Sequence, residues 1–180
     1  MEHFRVNTIG PIHLFNAFMP LILRGVEKKI FAISTGAADT EMTLKADMYQ
    51  ATAYSITKAA LNMAVAKFSA VYREKGVLVM AICPGAVATN GLQIGGLSQK
   101  LEVDCHRVEC ANLCMNLESE EDGKLTMAMF ANFKQYSPTF EGPGPMEDSA
   151  KSVLGLMHKA TVDGGYAGTF MSNTEKKSYL

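Results

Sequence analysis

Tyr54-Ser55-Ile56-Thr57-Lys58 sets a phenol and an ammonium four residues apart, the spacing that stacks two side chains one turn apart on a helix face. A phenol with an ordinary pKa near ~10 moves protons poorly at neutral pH, and a neighbouring ammonium favours phenolate and lowers that value. The pair is then a tunable acid/base. By itself the spacing is common, and it equally describes a solvated lysine beside a half-buried tyrosine. Two further groups sharpen the chemistry. Adjacent hydroxyls, Ser34 and Thr35, close one apolar run, and Cys83-Pro84-Gly85-Ala86-Val87-Ala88-Thr89 closes another. Hydroxyls donate and accept hydrogen bonds.

For these groups to meet, the chain must deliver them to one edge. Residues 3 to 24 carry Phe4, Ile9, Ile12, Phe15, Phe18, Met19 and Ile22 near helical spacing. Pro11 lies inside, removes a hydrogen bond and clashes with the preceding turn, so this helix is expected to start late or to bend. Lys29-Ile30-Phe31-Ala32-Ile33-Ser34 reads as a strand buried on both faces. After a polar loop, residues 51 to 74 return to helical spacing and stop at Lys75-Gly76. Val77 to Cys83 is a second continuous apolar strand, ended by Pro84-Gly85. Strand, helix, strand predicts a parallel crossover and an α/β fold. Residues 147 to 160 predict a helix with Met146-Glu147-Asp148 at its acidic start, and Gly168 to Ser172 a short third strand. Ser34, Thr35 and the turn from Pro84 to Thr89 then share the C-terminal edge of the sheet, where open α/β sheets bind ligands. Residues 91 to 145 read as a variable region. Within it Leu101 to Asn116 and Leu125 to Phe133 fit helices, and Glu118 to Asp122 a solvated acidic run.

Composition limits the alternatives. The 180 residues suit a single domain with a substantial core, 48% of them being hydrophobic and 19% charged. Seventeen Lys and Arg against eighteen Asp and Glu leave a net charge of −1, which offers no footprint for nucleic acid or an anionic membrane. The longest apolar stretch, Leu14 to Leu23, is interrupted by Asn16 and Pro20 and falls short of the ~20 residues of a membrane span. The N-terminus lacks the basic, apolar and small-residue segments of a secretory signal. Cys83, Cys105, Cys110 and Cys114 then suit thiols in a reducing compartment, and the expected location is cytoplasmic. Cys105, His106, Cys110 and Cys114 raise the question of zinc, but their spacings contain no paired Cys-x-x-Cys knuckle, and no metal is expected.

Four motifs in this order resemble the short-chain dehydrogenase/reductase family. They are Asn7 in the run from Phe4 to Pro11, Ile33-Ser34-Thr35-Gly36, Tyr54-x-x-x-Lys58 followed by Ala59-Ala60-Leu61-Asn62, and Pro84-Gly85-x-x-x-Thr89. The resemblance covers residues 3 to 90 well and 145 to 180 loosely, where Gly165 to Phe170 is similar to the family's closing strand. It implies a partial Rossmann-like, doubly wound parallel sheet of about three strands with flanking helices. It also implies reduction of a ketone or aldehyde, or the reverse oxidation, with a nicotinamide cofactor. Tyr54 would be the proton donor, Lys58 would lower its pKa and hold the nicotinamide ribose, and Asn7 would hold a water leading to Lys58. A strand-end hydroxyl would polarise the carbonyl; register favours Thr35, with Ser34 as competitor. Pro84, Gly85, Val87 and Thr89 would line the nicotinamide. Carbonyl-reductase likeness suggests NADP over NAD. The helices at 3 to 24 and 54 to 75 would be a homodimer interface.

The family's opening strand, glycine-rich turn and helix, which cradle the pyrophosphate, have no counterpart in this sequence. Gly91-Leu92-Gln93-Ile94-Gly95-Gly96 follows the substrate-side turn instead of opening a helix after a first strand. The expectation is therefore a truncated single domain over 1 to 180, with strand 30 to 34 as an open apolar edge and no dinucleotide binding by these residues alone. The alternative function is a non-catalytic fragment or partner-binding protein.

Overall fold

The computed structural model describes residues 2–88 and 129–175. Three strands, β1 (Lys29–Ile33), β2 (Leu78–Cys83) and β3 (Phe170–Ser172), form one sheet in the order β1-β2-β3 with both pairings parallel. Ile33 stands opposite Ile82, and Cys83 opposite Ser172. The Leu78 N–H donates to the Lys28 carbonyl and the Ser34 N–H to the Ile82 carbonyl. Even-numbered residues of β1 therefore spend their backbone groups on β2, while Lys29, Phe31 and Ile33 turn theirs to the other side, where no strand pairs with β1 among the described residues.

All six residues of β2 are buried, which explains an apolar run without alternation. On one face Ile30, Ala32, Val79 and Ala81 pack against Phe15, Met19, Leu61 and Val65. Leu78, Met80 and Ile82 face the other way, against Leu156 and Ala160. Helices thus cover both faces, the partial doubly wound arrangement expected from the sequence. A third cluster, Met42, Ala46, Cys83, Met129, Phe133 and Phe140, caps the C-terminal end of β2.

The first helix, α1, spans Glu2–Arg24 in three pieces: α-helical Glu2–Phe4, a π-helical turn Arg5–Ile9, and α-helical Gly10–Arg24. It does not start late, since it is helical from Glu2. The π-turn absorbs the proline, with the Gly10 N–H reaching the Arg5 carbonyl five residues back. Pro11 has no N–H for the carbonyl four residues earlier, and that carbonyl belongs to Asn7. By length and composition α1 is also apolar enough to cross a bilayer, which the interrupted run from Leu14 to Leu23 did not suggest. Its Phe15 and Met19 are nonetheless core residues beneath the sheet.

The polar loop expected after β1 holds a 3-10 turn, Gly36–Ala38, and a short helix α2, Thr40–Lys45, whose N-cap Asp39 accepts the Met42 N–H at 2.8 Å. Six residues with only Met42 buried leave too weak a periodicity to read. Helix α3 runs Thr52–Tyr72, and Gly76, with φ +75°, ends the following turn where a side chain would be strained. Residues 129–136 form helix α4, overlapping the helix expected over Leu125 to Phe133. Helix α5 is Met146–Lys159, with Glu147 and Asp148 in its first turn. The stretch Leu101 to Asn116, the acidic run Glu118 to Asp122, the cysteines Cys105, Cys110 and Cys114, and His106 lie outside the described residues. Among the described residues no cluster of metal-ligating side chains occurs.

Candidate active site

The site is assembled where β1 and β2 end and α3 begins. Tyr54 and Lys58 lie one turn apart on α3, with the ammonium 5.8 Å from the centre of the phenol ring. Thr35 follows β1. Its oxygen accepts the Ala37 N–H at 3.3 Å, and its hydroxyl lies near enough to the Tyr54 phenol to pull the phenol's pKa down. Ser34, one residue earlier, is only 3% exposed and its Oγ has no hydrogen-bond partner. The extended backbone alternates the two side chains, so of the competing hydroxyls Thr35 is the one that meets the tyrosine.

Electrostatics here depart from the simple expectation. The Tyr54 phenol is held above its ordinary value, first by burial and then by the neighbouring Cys83 thiol, while the Thr35 hydroxyl pulls it down. The expected lowering by Lys58 is not seen. That ammonium sits over the ring instead of at the phenol oxygen, and donates to the Ile33 carbonyl at 2.8 Å. Burial lowers the pKa of Lys58 itself. In this arrangement Tyr54 keeps its proton and Lys58 reaches from α3 to the last outward carbonyl of β1.

Asn7 stands in the π-turn and donates from Nδ2 to Thr57 Oγ1 at 3.1 Å. It thereby reaches α3 between Tyr54 and Lys58 without touching either in the described contacts. Cys83, expected from the sequence only as the end of the second strand and a reduced thiol, proves central. Its Sγ accepts N–H groups from Gly36 at 3.1 Å and Gly85 at 3.4 Å, so one thiol ties both strand-end turns together. Burial raises its pKa, against the two backbone donors. Thr57 was also missed. The available signal was its place as the hydroxyl three residues after Tyr54, where a threonine can bond back to the helix.

The turn after β2 is fastened from two directions. The Pro84 carbonyl accepts Ser149 Oγ at 2.8 Å and Asn173 Nδ2 at 2.9 Å. Gly85, at φ +82°, needs the left-handed region. A parallel bridge joins Val87 to Gly144 through the Ala88 N–H and the Ala86 carbonyl. The alternation turns the backbone N–H and C=O of Val87 away from Gly144. A primary carboxamide needs such a donor and acceptor pair, and Val87 could offer it to the nicotinamide end of a dinucleotide, while the Pro84 carbonyl and the Gly85 N–H are already engaged and could only shape the turn around it. Thr89 lies outside the described residues. None of the described segments offers the glycine-rich strand, turn and helix N-terminus that would cradle a pyrophosphate.

Over residues 1–94 the sequence matches the family described as short chain dehydrogenase. Short chain dehydrogenase virK of Hypocrea virens is 38% identical over 179 residues, covering 99% of this chain and 58% of that protein. Short-chain dehydrogenase/reductase iacC of Pestalotiopsis fici is 33% identical over 177 residues, 98% of this chain and 57% of that one. Among solved structures, NADPH-bound carbonyl reductase from chicken fatty liver superimposes with a TM-score of 0.61 at 21% identity, covering 96% of this chain and 54% of that one. Carbonyl reductase Sniffer of D. melanogaster gives a TM-score of 0.58 at 15% identity, with the same coverage. The structural likeness is one of fold. The chain spans 58% or less of the length of each of these proteins.

Proposed function

Because the chain belongs to the short-chain dehydrogenase/reductase family, we propose that it serves a nicotinamide-dependent oxidoreductase that interconverts a ketone or aldehyde and its alcohol. The observation that carries this reading is the meeting of Tyr54, Thr35 and Lys58 at the C-terminal edge of the sheet. A bound reduced nicotinamide supplies a hydride. Tyr54 supplies the proton to the carbonyl oxygen, and its raised pKa keeps that proton in place at neutral pH. Thr35 donates a second hydrogen bond to the same oxygen. Lys58 would exchange the Ile33 carbonyl for the ribose hydroxyls, and the Asn7 carbonyl, to which Pro11 offers no N–H, would hold a water that returns protons toward Lys58. Pro84, Gly85 and Val87 position the carboxamide.

An apolar cluster packs beside the end of β2. Phe130, Phe133 and Phe140 pack with ring centroids 5.5 to 6.3 Å apart, on the cluster that contains Cys83. NADP is our choice of cofactor, supported by the NADPH-bound carbonyl reductase among the fold neighbours.

Carbonyl-dependent oxidation of NADPH and NADH by the purified protein tests the reading, with Tyr54→Phe as the control. Turnover with NADPH would support the reading against the expectation that these residues alone bind no dinucleotide, and the variant should then lose at least ~10²-fold in kcat, the usual range for a deleted acid/base. Equal activity in the variant would end the assignment. A second reading, a partner-binding protein without catalysis, is favoured by the lack of a pyrophosphate cradle among the described residues. Failure of either dinucleotide to bind in titration calorimetry would select it.

A further inference from the structure

We infer that Thr57 is a positioning residue that clasps the Tyr54–Lys58 turn to the π-turn carrying Asn7. The residue is 3% exposed, and its hydroxyl both donates and accepts. Oγ1 donates to the Tyr54 carbonyl at 2.8 Å and accepts Asn7 Nδ2 at 3.1 Å. The Thr57 carbonyl accepts the Thr8 hydroxyl at 2.9 Å, so two consecutive residues of the π-turn grip one residue of α3.

The start of α3 needs such a grip. Its N-cap is Ala51, in the left-handed region at φ +53°, with no side-chain hydrogen bond to the first turn. An uncapped N-terminus frays, and Tyr54 lies in that first turn. The ties to Thr57 hold it from the side. Thr57 touches neither the Tyr54 phenol nor the Lys58 ammonium in the described contacts: its hydrogen bonds run to the Tyr54 backbone, to the Asn7 side-chain amide and to Thr8. Sliding or rolling of α1 over α3 would therefore shift Asn7 and the Tyr54 backbone together.

The proposal rests on the oxidoreductase reading for its kinetic consequence but not for its geometry, and the test separates the two. Thr57→Val keeps the shape and deletes the hydroxyl; Thr57→Ser keeps the hydroxyl and deletes the methyl. In protein labelled at the tyrosine ring carbons, the Tyr54 phenol is titrated by NMR while the Asn7 side-chain amide is followed. The valine variant should move the Asn7 amide signals and the phenol titration, and the serine variant should restore both. If the protein turns over, kcat should fall roughly tenfold in Thr57→Val, with the pH profile displaced and serine recovering most of it. Unmoved Asn7 and Tyr54 signals in Thr57→Val, or equal defects in both variants, would overturn the clasp. Loss of turnover in the wild type alongside displaced signals in the valine variant would refute the oxidoreductase reading and leave the clasp standing. Should Thr57→Val not fold, Thr8→Val removes the second tie, and the same titration decides.

Discussion

At Tyr54 and Cys83 the acid is held in its neutral form by its surroundings, and this has a cost at high pH. Both groups have raised pKa values in the folded chain, from 10.0 and 9.0, so the folded state keeps protons that the unfolded state has released. Stability is therefore intact below pH 9 and is lost as the pH climbs toward the folded values. Lys58 works in the opposite sense. Its pKa is lowered from 10.5, so the unfolded chain holds more protons just below that value and stability rises with pH there. Above 10.5 the contribution of Lys58 is complete, and Tyr54 and Cys83 dominate. Urea midpoints are expected to fall above pH 10.5 in the wild type and to fall less in Tyr54→Phe; identical alkaline slopes would contradict the burial of the phenol. The tyrosine–lysine pair and the strand-end hydroxyls were legible because their residue types and spacing state their chemistry. The roles of Cys83 and Thr57 were not, because an acceptor for backbone N–H groups is defined by which turns fold back on it.

At the scale of elements, α1 shows where periodicity stops being informative. The apolar spacing predicted one helix, and Pro11 predicted trouble within it, yet neither says that the trouble is resolved by widening one turn. That outcome depends on α3, whose Thr57 takes both Asn7 and Thr8. Pro11→Ala returns an N–H to the carbonyl of Asn7 and favours an ordinary α-turn. The expected result is a gain of about 1 kcal/mol, or roughly 2–4 °C in thermal midpoint, with reduced turnover because the Asn7 carbonyl is now occupied. Unchanged activity in a stabilised variant would show that this carbonyl has no part in the reaction. The strands were the easiest elements to read, since burial on both faces leaves continuous apolar runs. Helix α2, with a single buried residue among six, was invisible to the same test.

For the whole molecule, the two helices on the Phe15 and Leu61 side of the sheet present apolar residues outward. Leu14, Phe18 and Leu21 follow one another at four and three residues along α1, each more than half exposed, and Ile56 and Met63 continue the patch on α3. We propose that a second copy of the chain covers it, the two helices of each forming a four-helix contact. Phe18→Glu should convert a dimer to a monomer in sedimentation equilibrium at micromolar concentration, because it buries an unpaired charge at the centre of the patch; a variant that still sediments as the wild type would place the contact elsewhere. The parallel register of β1 and β2 carries a different consequence. Since only alternate residues of β1 spend their backbone on β2, this one strand holds two populations of amide in strict alternation. Those of Ile30, Ala32 and Ser34 should open only when the core opens, whereas those of Phe31 and Ile33, which meet no strand among the described residues, should trade hydrogen with solvent while these three strands stay paired.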